Sequence, residues 1–140
     1  MTPADLLPHG GAMVLLDRIV GWDEVQAVCA TRAHVAPGNP LRHRGALPAI
    51  CGIEIVLQAA AVHGALRGGG GKGVRGYVAV LRDVRWSVDR LDDPDLGELR
   101  ATARMVSEET AGVIYDLELS AEDGRGLLHG RAVIAWQASA

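Results

Sequence analysis

Beyond residue 75, apolar and polar positions alternate with a period of two in four stretches. These are 75–88 (RGYVAVLRDVRWSV), 97–107 (GELRATARMVS), 112–121 (GVIYDLELSA) and 127–137 (LLHGRAVIAWQ), and each predicts a strand. Turn residues separate them: Asp92-Asp93-Pro94, Glu108-Glu109-Thr110 and Asp123-Gly124-Arg125-Gly126. The last is a strong hairpin signal, and links this short make consecutive strands antiparallel neighbours. Two further strands are predicted at 12–20 (AMVLLDRIV) and 25–34 (VQAVCATRAH), joined by the turn GWDE. Residues 35–48 (VAPGNPLRHRGALP), rich in Pro and Gly, predict a loop.

The stretch 47–66 (LPAICGIEIVLQAAAVHGAL) breaks the alternation. Pro48 suits the first turn of a helix, which runs to about Leu66 and ends in the glycine tract Arg67-Gly-Gly-Gly-Gly-Lys-Gly. A helix apolar on nearly every side must be wrapped. The order of two strands, one long helix and four strands provides one antiparallel sheet to do it. This predicts an α+β chain with the hot-dog architecture, a sheet curled around one central helix, as a single domain over 1–140. A βαβ fold needs more helices than this.

Composition narrows the function classes. Apolar residues make up 49% and charged residues 22%, the balance of a soluble globule, and the net charge of −3 argues against a nucleic-acid binder. The start MTPADLLPHGG lacks the basic and apolar regions of a signal peptide. The helix nearly reaches membrane-spanning length, yet it carries Glu54, Gln58 and His63 mid-chain, so it reads as buried in protein and not in a membrane. Cys29 and Cys51 form no CxxC motif and sit in apolar surroundings. They read as small core residues of a cytoplasmic protein, with no metal site implied. There is no phenylalanine, which leaves the core to Val, Leu, Ile and Ala.

Glu54 is the residue that asks for an explanation, because a carboxylate in an apolar helix is costly unless paired or used. At 100° per residue, Gln58 falls about 40° from Glu54, Ile50 about −40°, and His63 about 180° away. Glu54 and Gln58 therefore share one polar spot near the helix N-terminus, where the dipole favours negative charge. His63 belongs to the opposite, structural side. One reading of Glu54 is a bridge to Arg42 or Arg44; the other is a catalytic acid or base in an apolar pocket, its pKa raised by desolvation.

Three blocks resemble the 3-hydroxyacyl-acyl-carrier-protein dehydratases of the FabZ type. LLPHGGAMVLLDRIV (6–20) is similar to their opening LPHR.PFLLVDRV, LPAICGIEIVLQAAA (47–61) to MPGVLILEAMAQAAG, and GYVAVLRDVRW (76–86) to FLAGIDNVRF. Pro48, Glu54 and Gln58 fall on that family's Pro, Glu and Gln. The pattern NPL…G.LPA..GIE…QA.AVHGAL is closer still to the dehydratase-like proteins of aryl-polyene gene clusters, the ApeP type. The resemblance implies a hot-dog dimer that removes water from a 3-hydroxyacyl thioester carried on phosphopantetheine, with an acyl carrier protein as partner and no cofactor of its own. In that chemistry a histidine takes the C2 proton and Glu54 protonates the leaving hydroxyl. Backbone amides around Pro48, Ala49 and Ile50 would polarise the thioester carbonyl, and Gln58 and His9 would line the substrate site.

The chain departs from the pattern at the histidine. The FabZ type places it fourteen residues before the Glu, and fourteen before Glu54 is Pro40. His43, eleven before Glu54, comes first by position; His34, twenty before, follows; His9 matches the family's LPH and shapes the site. A solvated or structural role is open for each of the three, and His129 is assigned none. The tract RGGGGKGV (67–74) follows a helix and lacks a GK[ST] ending, so it is a flexible link and not a phosphate loop. Arg42, Arg44, Arg82 and Arg85 are either a solvated face or a basic patch that steers an acidic carrier. Open sheet edges predict a homodimer or higher oligomer, or a heterodimer with another hot-dog subunit, with the pocket at the seam. Two other readings remain: a hot-dog acyl thioesterase on acyl-CoA or acyl-carrier substrates, and a catalytically reduced partner subunit.

Overall fold

The computed structural model describes residues 1–68 and 76–136. The chain forms α1 (Pro3–Leu6), β1 (Arg18–Trp22), β2 (Gln26–Thr31), α2 (Gly52–Arg67), β3 (Gly76–Trp86), β4 (Leu99–Glu109), β5 (Gly112–Ser120) and β6 (Gly126–Trp136), with short 3-10 turns between. The six strands make one antiparallel sheet in the order β1-β2-β4-β5-β6-β3. Helix α2 packs against β2, β4, β5 and β6. This is the hot-dog fold. Most of the glycine tract, the expected start of the third strand at 75 and the end of the last at 137 lie outside the described residues.

Helix α2 sits on the sheet through Ile55, Val56, Ala59 and Val62, all fully buried. Its first residue explains the close approach. A Cβ on Gly52 would stand 2.9 Å from Leu119 Cδ2 and 3.3 Å from Leu91 and Leu128 side chains, so only glycine lets the helix start this near the strands. The other flank is open, with Ala61 and Gly64 exposed. Together with the turn before it, the helix is long and apolar enough to cross a membrane, at 19 residues; here its apolar face is spent on the sheet.

The first predicted strand is mostly not a strand. Pairing begins at Arg18, and residues 14–17 run extended beside the helix instead. Leu15 and Leu16 are consecutive and both buried, so the segment shows no simple inward-outward alternation. Side chains satisfy this segment's backbone in place of a ladder. The Leu15 amide donates to Gln58 Oε1 at 2.8 Å, the Leu15 carbonyl accepts from Thr31 Oγ1 at 2.6 Å, and the Met13 carbonyl accepts from Gln58 Nε2 at 2.7 Å.

Strand β3 is an edge whose large apolar side chains are uncovered in the single chain: Tyr77, Val78, Val80, Leu81 and Trp86 are all exposed. Its register against β6 slips twice, between Val78 and Val80 and between Arg82 and Arg85. At the second slip Asp83 takes the left-handed region, φ 53°, which Asp adopts more readily than most residues. Each bulge reverses the facing of the residues after it, so the simple alternation read in the sequence does not yield one inward and one outward side.

His63 is structural, as its place on the helix predicts. Its Nε2–H donates to the Asp23 carbonyl at 2.9 Å, which leaves Nδ1 to accept from the Tyr115 hydroxyl at 2.7 Å. Burial lowers its pKa and raises that of Tyr115 to about 12. His34, also fully buried, is lowered by the same cause, with the Gly97 backbone opposing. A histidine held neutral in the fold takes up a proton on unfolding below its ordinary pKa of about 6.5. Stability from these two is therefore complete above about pH 6.5 and is lost as the pH falls, by at most about 1.4 kcal/mol per pH unit for each. Urea titrations at pH 7.5 and 5.5 should show the midpoint falling across this window, before ordinary carboxylates titrate. A flat midpoint would contradict it.

Candidate functional site

The site is built where the N-terminal segment crosses the start of α2. Leu6 and Leu7 are buried in the core and α1 packs on α2, which holds the adjoining Pro8 and His9 against the helix. Glu54 stands in the first turn of α2. His9 Nε2 lies 3.1 Å from Glu54 Oε1, with the two side chains 29% and 33% exposed. Gln58, one turn on and 1% exposed, points its amide nitrogen at the same carboxylate oxygen at 3.4 Å. Its remaining capacity goes to Leu15 and Met13, as above. Gln58, expected to touch substrate, lines the groove while its amide fixes the N-terminal segment and faces Glu54.

The pair stands in a groove of about 1190 Å³. One wall is the open flank of α2, from Glu54 and Leu57 to Ala61, Gly64 and Ala65; the other includes Tyr77, Val78, Ile134 and Trp136. Tyr115, Arg67 and Glu108 also line it. Arg67 grips Glu108 through two hydrogen bonds of 2.6 and 3.1 Å, and this contact holds the Glu108 carboxyl below its ordinary value. The groove joins an acid and an imidazole to an apolar channel, the requirement for proton transfer on a greasy substrate. A smaller hollow of about 530 Å³ between Val88 and Arg125 contains none of the candidate residues.

The other sequence candidates are placed elsewhere in this chain. His43 is exposed, and its backbone pairs with Ala46 around the tight turn Arg44-Gly45, whose φ angles of 51° and 77° fit a type I′ hairpin. His34 is completely buried, and among the described residues neither ring nitrogen has a partner at good hydrogen-bond geometry, the Gly97 backbone being the polar neighbour that acts on the imidazole. Neither lines the groove, so within one chain it is His9, not His43 or His34, that meets Glu54. The Arg bridges considered for Glu54 do not form. Arg42 reaches the Gly45 carbonyl at 3.0 Å and Asp92 at 4.0 Å, and Arg44 lies out at the turn.

The amides expected to hold a thioester carbonyl are partly spent. Pro48 has none, and that of Ala49 donates to the Asp89 carbonyl at 3.1 Å; Ile50 is exposed. The expected closed pocket is also only half made, with a third of the Glu54 side chain open to solvent. Arg82 and Arg85 are exposed on β3, opposite Arg131 and His129 in the register, while Arg131 is engaged by Asp116 at 2.8 Å. Cys29 and Cys51 are unpaired, with the Cys29 thiol pushed up to about 12 by burial. Among the described residues no group of three His, Cys, Asp or Glu side chains is arranged to hold a metal.

Comparison with known proteins gives this geometry a context. The sequence model of the ApeP-like family, described as ApeP dehydratase, matches residues 1–136. No match was found among curated proteins. Among solved structures, the dehydratase heterocomplex ApeI:P from Xenorhabdus doucetiae is similar with a TM-score of 0.83 at 20% identity, over 99% of this chain and 93% of that one. AziG from S. sahachiroi gives 0.67 at 16% identity, over 96% and 99%. A hypothetical thioesterase with coenzyme A from Streptococcus pneumoniae gives 0.62 at 13% identity, over 87% and 86%. At such identities the structural likeness speaks for the fold.

Proposed function

Because this chain belongs to the ApeP-like dehydratase family, we propose that it removes water from a 3-hydroxyacyl thioester carried on the phosphopantetheine arm of an acyl carrier protein. The observation that carries this reading is the 3.1 Å contact of His9 with Glu54 at an apolar groove. In the proposed cycle neutral His9 takes the C2 proton, electrons move into the C2–C3 bond, and protonated Glu54 gives its proton to the departing C3 hydroxyl. The products are the enoyl thioester and one water. Transfer of the captured proton from His9 to Glu54 across their contact resets the pair. The chain needs no cofactor for this and works in the cytoplasm.

The half-open carboxylate and the apolar edge of β3 support a site completed by a second hot-dog subunit added at that edge. The partner is another copy of this chain or a different hot-dog chain, as the ApeI:P heterocomplex joins two kinds of subunit. A second subunit would cover the groove and desolvate Glu54.

Incubation of the purified protein with a 3-hydroxyacyl carrier protein, then mass spectrometry of the carrier and assay of free thiol, tests the reading. Loss of one water with no thiol released is expected, from a protein that elutes as at least a dimer. Released thiol would favour the thioesterase reading, which the thioesterase neighbours make the natural alternative. Neither product would mark a catalytically reduced subunit of a heterodimer.

A further inference from the structure

We infer that Gly64 sets the length of the acyl chain this site accepts. The inference rests on the dehydratase reading and extends it to the substrate's tail. Glycine is the least favourable helix residue after proline, so Gly64, in the last turn of α2, needs a reason. Packing supplies a reason at Gly52, the other described glycine of α2, where an added Cβ would meet Leu119 Cδ2 at 2.9 Å. At Gly64 an added Cβ would meet no atom of the described residues within 4 Å. The space over it belongs to the groove, on the same wall as Glu54.

Ten residues separate Glu54 from Gly64, a distance of about 15 Å along the helix. An extended chain leaving C3 at Glu54 covers that distance with roughly a dozen carbons, given zigzag C–C bonds of about 1.5 Å each. One turn further stand Arg67 and Glu108, joined by their paired hydrogen bonds. A methyl terminus gains nothing by displacing such an ion pair. The tail therefore ends over Gly64, where the missing side chain leaves width for it.

Binding of two non-hydrolysable 3-hydroxyacyl pantetheine amides, one butyryl and one tetradecanoyl, to the wild-type protein and to Gly64→Phe and Gly64→Leu tests this by calorimetry. Each variant should lose at least about tenfold in affinity for the long analogue, the worth of two or more buried methylenes, and keep its affinity for the short one within about twofold. Leu, the smaller side chain, keeps the test open should Phe fail to fold. Gly64→Ala should keep both affinities and melt a few degrees higher, because alanine favours the helix. Equal affinities for the long analogue in wild type and both larger variants would overturn the inference, as would parallel loss for both analogues or a failure of wild type to bind the long one. Tight, Gly64-dependent binding without dehydration would instead defeat the dehydratase reading and leave the gauge standing.

Discussion

Glu54→Gln lowers kcat/KM for dehydration about a thousandfold, within the range for loss of a positioned proton donor, and leaves the melting temperature within a degree or two. The amide has the same shape and can still hydrogen-bond His9 Nε2, now 3.1 Å from the carboxylate, so the local structure persists. It cannot deliver a proton to a leaving hydroxyl. The side chain is one-third exposed, so its replacement costs the fold little, and the loss appears in turnover at about 4 kcal/mol of transition-state stabilisation. His9→Gln should fall about a hundredfold in the same assay, while His43→Gln changes it little, since His43 is exposed and away from the groove. A Glu54→Gln protein with more than a tenth of wild-type activity would remove this residue from the mechanism.

Gln58→Leu has the largest expected effect on stability. The replacement leaves the buried Leu15 amide and the Met13 carbonyl without the partners that Gln58 supplies at 2.8 and 2.7 Å. Each orphaned buried group costs about 1–3 kcal/mol, for a total near 3 kcal/mol and a melting temperature lower by about 10 °C. Gln58→Glu should recover little of it. A carboxylate still accepts from Leu15 but cannot donate to Met13, and it faces Glu54 Oε1 with an acceptor where the amide nitrogen stood at 3.4 Å. Differential scanning calorimetry of both variants measures this; a Leu variant as stable as wild type would show that the segment at 13–15 holds without the glutamine.

The long helix and strands β4 to β6 are legible in the sequence because a single physical cause, one-sided burial, fixes their periods. The curled sheet comes with them, since nothing else in the chain could cover α2. The first strand is illegible because Leu15 and Leu16 look like strand residues and are bound by side-chain hydrogen bonds from Gln58 and Thr31, partners 43 and 16 residues away. The His9 and Glu54 contact spans 45 residues, and no local pattern marks it. Position along the chain points to His43 and His34 instead, one of which the Arg44-Gly45 turn leaves outside and the other of which the fold seals within the core. Glu54 itself stands out because one carboxylate among apolar residues is a local anomaly.

The two slips in β3 bear on the company this protein can keep. A flat, continuous edge of valines and aromatics invites any unfolded segment to dock on it and seeds aggregation. Broken after Val78 and again after Arg82, this border offers only short runs of outward amides and carbonyls, set at changed angles by the extra twist. A stray peptide can match one run but not the next. Only a neighbour that carries the complementary irregularities can zip along the whole length, so the bulges screen out casual visitors while admitting a subunit shaped for them.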